Sequence, residues 1–139
     1  MSEIEDSKIT AGALLARSML FGILTNYSEE SKMIIDYSKM DENKLSAFKG
    51  GSGELNVKMY DDGSAKIMRG RLEKGSSIGY HAHEGNAEII YILRGKANIV
   101  YDGNELEAVA GQAHYCPEGH SHSMTNNSDE ILEFFAVVR

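Results

Sequence analysis

The chain has one cysteine, Cys116, in 139 residues, so no intrachain disulfide can staple it. The fold must be held by a hydrophobic core alone, and a chain of this length suits one domain able to bury one. A lone thiol also fits a reducing cytoplasm. No cluster of basic residues is present. With 14 Lys and Arg against 21 Asp and Glu the net charge is −7, which excludes a general electrostatic affinity for nucleic acid or anionic membrane. A long unbroken apolar run is missing too. The stretch over residues 11–24, AGALLARSMLFGIL, is interrupted by Arg17 and follows the acidic Glu3, Glu5 and Asp6. A secretory signal needs the opposite, a basic start and a continuous apolar segment, and the run is too short to span a bilayer. The expectation is a soluble cytoplasmic protein with no nucleic-acid or membrane partner. No internal repeat and no second folded domain are legible.

What is there reads as an ordinary globular chain, 42% hydrophobic and 25% charged. Thr10 is placed to cap a helix, and residues 11–24 are rich in the helix formers Ala, Leu and Met. Their apolar positions cover most of the helix circumference, so this helix needs burial against its own domain or a second subunit. Residues 1–40 are read as an extension and 41–139 as the main domain. Residues 33–37 read as a short strand, and 38–53, ending in Gly50-Gly51-Ser52-Gly53, as a loop. From there short alternating or densely apolar segments follow one another. They are separated by turn signals such as Asp61-Asp62-Gly63, Arg94-Gly95-Lys96 and Asp102-Gly103-Asn104. Some ten short strands at regular spacing predict an all-β sandwich or barrel.

The segment from Gly75 to Asn126 carries the chemistry. His81 and His83 are two apart, so on an extended strand they share a face. Glu88 lies across a bend at Glu84-Gly85-Asn86 and opens a strand that can return beside the first. His122 comes from a distant segment. These four side chains can hold a metal between strands, as at the mouth of a small barrel.

Their spacing resembles the two motifs of the cupin family. The first is a glycine, five residues, His-x-His, three or four residues, a glutamate, six residues and a glycine; here these are Gly75, His81, His83, Glu88 and Gly95. The second is a glycine, five residues, Pro-x-Gly, two residues, a histidine, three residues and an asparagine; here these are Gly111, Pro117, Gly119, His122 and Asn126. All ten defined positions match. A lone His-x-His is weak, but two complete motifs in order are specific. The resemblance implies a double-stranded β-helix, a jelly-roll-like barrel, here with an N-terminal helical extension. It also implies a homodimer and a divalent transition metal, with Mn, Fe, Ni, Cu and Zn all open.

Three neutral imidazoles and one carboxylate suit a first-row divalent ion. Six-coordinate geometry would leave two positions for a small ligand, and the net positive centre would favour an anion. The expected function is a metal-dependent enzyme acting on a small anionic metabolite or sugar derivative, with isomerase, lyase and dioxygenase chemistry unresolved. The alternative is a module that binds or senses a small ligand without turning it over. The fold itself does not choose between them. His120 and His114 are the further groups that titrate near neutrality, and they are the candidates for acid or base catalysis. His114 shares a strand face with Cys116, which reads as a small buried hydrophobe. Arg69 and Arg71 alternate along one strand and read as a solvated face unless they meet an anion. Asn126 is expected to hold a turn rather than a substrate.

Overall fold

The structure, a computed structural model, describes residues 33–139. The helix expected over 11–24 lies outside the described residues. The strand expected over 33–37 does not form. The Asp36 carboxylate accepts from the Ser38 amide at 3.0 Å and the Ser38 hydroxyl at 2.6 Å, turning the chain into a short 3-10 segment, Tyr37–Lys39.

Asp41–Arg139 forms one compact unit of ten strands. The first, β1 (Asn43–Ser46), falls inside the segment expected as loop. Leu45 draws it onto the core, opposite Leu55. The others stand close to where the turn signals put them. They are β2 (Glu54–Asp61), β3 (Lys66–Leu72), β4 (Ser77–Ala82), β5 (Glu88–Arg94), β6 (Lys96–Tyr101), β7 (Asn104–Val109), β8 (Ala113–Cys116), β9 (Ser121–Thr125) and β10 (Leu132–Val138). They make two antiparallel sheets, ordered β1-β2-β3-β10-β5-β8 and β4-β9-β6-β7. This is the expected jelly-roll-like, all-β architecture.

Period-two alternation sends one face of each strand inward. Met68 and Leu72 of β3, Ile90 and Ile92 of β5, and Leu132, Phe134 and Ala136 of β10 meet Ile78, Ala97, Ile99 and Met124 of the smaller sheet. Each large side chain so buried contributes about 1.5–3 kcal/mol. Phe134 pairs with Gly70, and any Cβ there would run into its ring. The opposite face of β5 exposes Ile89, Tyr91 and Leu93, beside Tyr115 of β8. Arg71 lies on a solvated face as expected, paired to both carboxylate oxygens of Glu42 at 3.0 and 2.8 Å. No helix among the described residues is long and apolar enough to cross a membrane.

Candidate metal centre

Strand register builds the site at one end of the barrel. His81 of β4 stands directly opposite His122 of β9. His83 lies just past β4, where its amide donates to the His120 carbonyl at 2.9 Å and its carbonyl accepts from the Gly119 amide at 2.7 Å. Gly119 has φ +85°, the left-handed conformation that a turn after Pro117 requires and that glycine adopts without strain. Glu88 comes from the other sheet. It opens β5 opposite Cys116, and the Ala87 and Arg139 backbones clamp its start with reciprocal hydrogen bonds of 3.0 and 2.9 Å.

The four side chains converge, with one donor atom of each lying within 4.8 Å of all the others. Nε2 of His83 and Nε2 of His122 are 2.9 Å apart, and Glu88 Oε1 is 3.0 Å from the latter and 3.5 Å from the former. Neighbouring donors around a single ion bound at about 2.1 Å stand about 3.0–3.5 Å apart. With their Nε2 lone pairs turned inward, two imidazoles and a carboxylate repel one another unless a proton or a cation lies between them. The donor set therefore fits a divalent ion.

The far side of each ring is held as well. Nδ1 of His81 donates to the Gly79 carbonyl at 2.7 Å, and Nδ1 of His83 to Asn86 Oδ1 at 2.6 Å. Nδ1 of His122 faces His114 Nε2 at 2.9 Å. Such bonds favour one tautomer and leave Nε2 turned toward the other donors. The Gly79 carbonyl is itself fixed by close packing. Gly79 lies against the backbone of Lys49 and Gly51, and a Cβ on either glycine would overlap the opposing chain. Ser52 and Ser77 lock the same contact, with the Ser77 amide donating to the Ser52 carbonyl at 2.8 Å. Ala47 and Lys49 take left-handed backbone conformations to reach it, a local strain held by the surrounding contacts.

The electrostatics follow from this crowding. Burial alone would raise the Glu88 carboxyl, but hydrogen bonds from His122 and His83 outweigh it and hold the group at about 2. The bond to Glu88 raises His83, while burial and the Lys49 charge act against it. Burial lowers His81. Burial, with the adjacent His122, pushes His114 down to about 4. Cys116 is fully buried and pushed up to about 11 by that burial, so it is no nucleophile at neutral pH.

His114 projects inward from β8 with Cys116, while Tyr115 faces out, 57% exposed. His114 therefore lies behind His122, bonded to it. His120 sits on the rim. Its Nδ1 pairs with the Asp102 carboxylate and lies 3.1 Å from the Tyr101 hydroxyl, and its ring stacks on Tyr101 at 5.5 Å. It is not among the converging donors. Three participants were missed in the sequence. Asn86 follows His83 by three residues in the bend, a spacing that could have been read as a side-chain contact. Tyr101 is placed by its register opposite His122. Asp102 shows in the sequence only as a turn residue, yet its other carboxylate oxygen accepts from the Ser121 amide at 3.0 Å.

A cupin-domain family model matches residues 68–138. The chain is 33% identical over 116 residues to an oxalate-binding protein of Thermotoga maritima, an alignment covering 79% of this chain and 96% of that one. The crystal structure of a predicted oxalate decarboxylase from the same organism superposes with a TM-score of 0.72 at 33% identity, covering 76% of this chain and 97% of the other. An RmlC-like cupin from Shewanella frigidimarina superposes at 0.65 with 14% identity, covering 80% and 93%, a likeness of fold alone.

Proposed function

This chain belongs to the cupin family, and on that footing we propose that His81, His83, Glu88 and His122 hold a divalent transition metal at which a small carboxylate of the oxalate class binds. The observation that carries this reading is the convergence of three imidazoles and one carboxylate, drawn from both sheets, with every ring anchored on its far side. One negative side chain against a 2+ ion leaves a positive centre with open positions, which favours a chelating anion and can polarise its carboxylate. Lys49, whose charge acts weakly against protonation of His83, adds to the positive field around the centre. The names of the Thermotoga relatives support oxalate as the first anion to try.

The test is elemental mass spectrometry of untagged protein, followed by calorimetric titration of oxalate and, separately, acetate into metal-loaded and metal-stripped samples. Near one equivalent of metal, with oxalate binding lost on stripping, is expected. A protein that takes up none of Mn, Fe, Ni, Cu or Zn, or binds oxalate equally well without metal, overturns the reading.

A second reading, turnover of the bound anion, is favoured by one arrangement. His120 is backed by Asp102, a pairing that orients an imidazole. Its Nδ1 is engaged, so proton exchange would fall to Nε2. Formate released from 13C-oxalate, followed by NMR, separates enzyme from binding module. The exposed strip of Ile89, Tyr91, Leu93 and Tyr115 is the surface that supports the expected homodimer. A monomeric mass by light scattering would remove that part of the proposal.

A further inference from the structure

We propose that His114 is a positioning residue of the metal centre that acts through His122, accepting the His122 Nδ1–H at its own Nε2 and so aiming the His122 ring. The inference rests on the metal-centre reading above. The three ligand histidines differ in what holds them. His81 leans on a backbone carbonyl two residues away, and His83 on an amide oxygen three residues away. Both acceptors are short-range oxygens on the same stretch of chain. His122 alone leans on another imidazole, at 2.9 Å, and that imidazole comes from the opposite sheet.

Neither ring is free to turn. His122 is 2% exposed and His114 7%. Tyr101 packs edge-on against His114 at 5.6 Å, and the two imidazoles lie 5.2 Å apart. A buried N–H without an acceptor costs about 1–3 kcal/mol, so His122 needs this partner. His114 can serve only with its own proton on Nδ1 and a lone pair on Nε2. The pair thus fixes two tautomers in series and leaves His122 Nε2 unprotonated toward the ion. It also ties β8 to β9 across the barrel, so the approach of the two sheets sets where this ligand stands. Supports of this kind typically govern metal affinity 10–100-fold.

The test compares wild type with His114→Gln, whose amide oxygen reaches the position of Nε2, and His114→Met, which has similar length and no strong acceptor. Co2+ affinity and the Co2+ visible absorption spectrum are read together, with the urea midpoint of the metal-free protein as a folding control. His114→Met is expected to lose about 10–100-fold in Co2+ affinity and to shift the spectrum, while His114→Gln stays within a few-fold of wild type. Should His114→Met fail to fold, His114→Asn takes its place: its oxygen falls short of Nε2, so it must lose affinity where Gln keeps it. Equal affinities and spectra in all variants overturn the proposal. So does an equal loss in Gln and in the acceptor-free variant, since the ring's packing would then matter and not its acceptor. A wild type that binds neither Co2+ nor Mn2+ is a different failure, that of the metal centre itself.

Discussion

The four converging side chains and the three that surround them, His114, His120 and Tyr101, are held by different means. Three of the four tetrad members are fixed at their own place in the chain, while His122 leans on His114 of the opposite sheet. His81 is tied to Gly79 two residues back, His83 to Asn86 three residues on, and Glu88 is set by the clamp at Ala87. The surrounding three are brought within reach of their hydrogen-bond partners by strand register. Tyr101 meets His122 because β6 pairs with β9, and His120 meets Asp102 across the same pairing. A locally fixed set survives changes elsewhere in the sheet and can be recognised from spacing. A register-fixed set is visible only once the sheets are assembled, and its roles are open to adjustment.

The largest break in this comparison is at the tetrad. Replacing His81 and His83 together by Ala removes two of four donors, and bound metal should fall from near one equivalent to none by elemental mass spectrometry. Replacing His120 by Ala should leave metal content unchanged, since it lies outside the donor set. Equal loss in both would erase the distinction.

Asn126 separates motif membership from site membership. It is fully buried, and its amide donates at 2.9 Å to the carbonyls of Leu72 and Glu130 while its oxygen accepts from Ser128 at 3.0 Å. Asn126→Ala leaves the buried Leu72 carbonyl and the part-buried Glu130 carbonyl short of a donor, so a stability loss of about 2–4 kcal/mol in urea denaturation is expected. Metal affinity of the remaining folded protein should hold. Affinity that falls in step with stability would make Asn126 part of the centre.

This division explains what could be read from the chain. Nine of the ten strands, the tetrad and the structural asparagine are legible because local signals specify them: alternation, turn residues and fixed spacing. Gly75, Gly95 and Gly111 all carry the positive φ expected of turns. The strand expected at 33–37 failed because a two-residue side-chain contact, Asp36 to Ser38, turns the chain. β1 was missed because four residues, Asn43–Ser46, with one inward Leu make too short a pattern to count. Asp102 was hidden because a turn signature and a carboxylate partner for His120 look alike in one sequence. His114 and His120 look equivalent in the sequence, yet the fold puts one behind His122 and the other on the rim.

Acid should act on the tetrad before it acts on the fold. A protonated His83 cannot bind metal, and its folded-state pKa is raised above 6.5 by Glu88. Metal affinity should therefore begin to fall above pH 6.5 and drop about tenfold per unit below the folded pKa of His83. Glu88 competes for protons only near its value of about 2, so its loss comes far later. Mn2+ affinity measured from pH 8 to pH 5 checks this, and a curve flat down to pH 6 contradicts it. Asn86→Leu removes an acceptor that supports the protonated ring, so the falling limb should shift to lower pH.

The smallest effect expected is at Lys49, and it tests whether the strained segment on β4 serves the site or only the fold. The backbone there takes two left-handed residues, Ala47 and Lys49, and closes against Gly79, whose carbonyl holds His81. That contact is made by main chain, so it survives replacement of the Lys49 side chain. Lys49→Ala should leave metal affinity near wild type and weaken oxalate binding to the loaded protein about two- to five-fold, as for one charge acting through a partly solvated path. The loss should shrink as salt is raised toward 1 M, where screening extends over only about 3 Å. Lys49→Gly relaxes the left-handed backbone while deleting the same charge. If Gly and Ala weaken oxalate alike, the charge carries the effect. If Gly alone preserves binding, the segment acts through its backbone, and Lys49 belongs with the scaffold that positions His81.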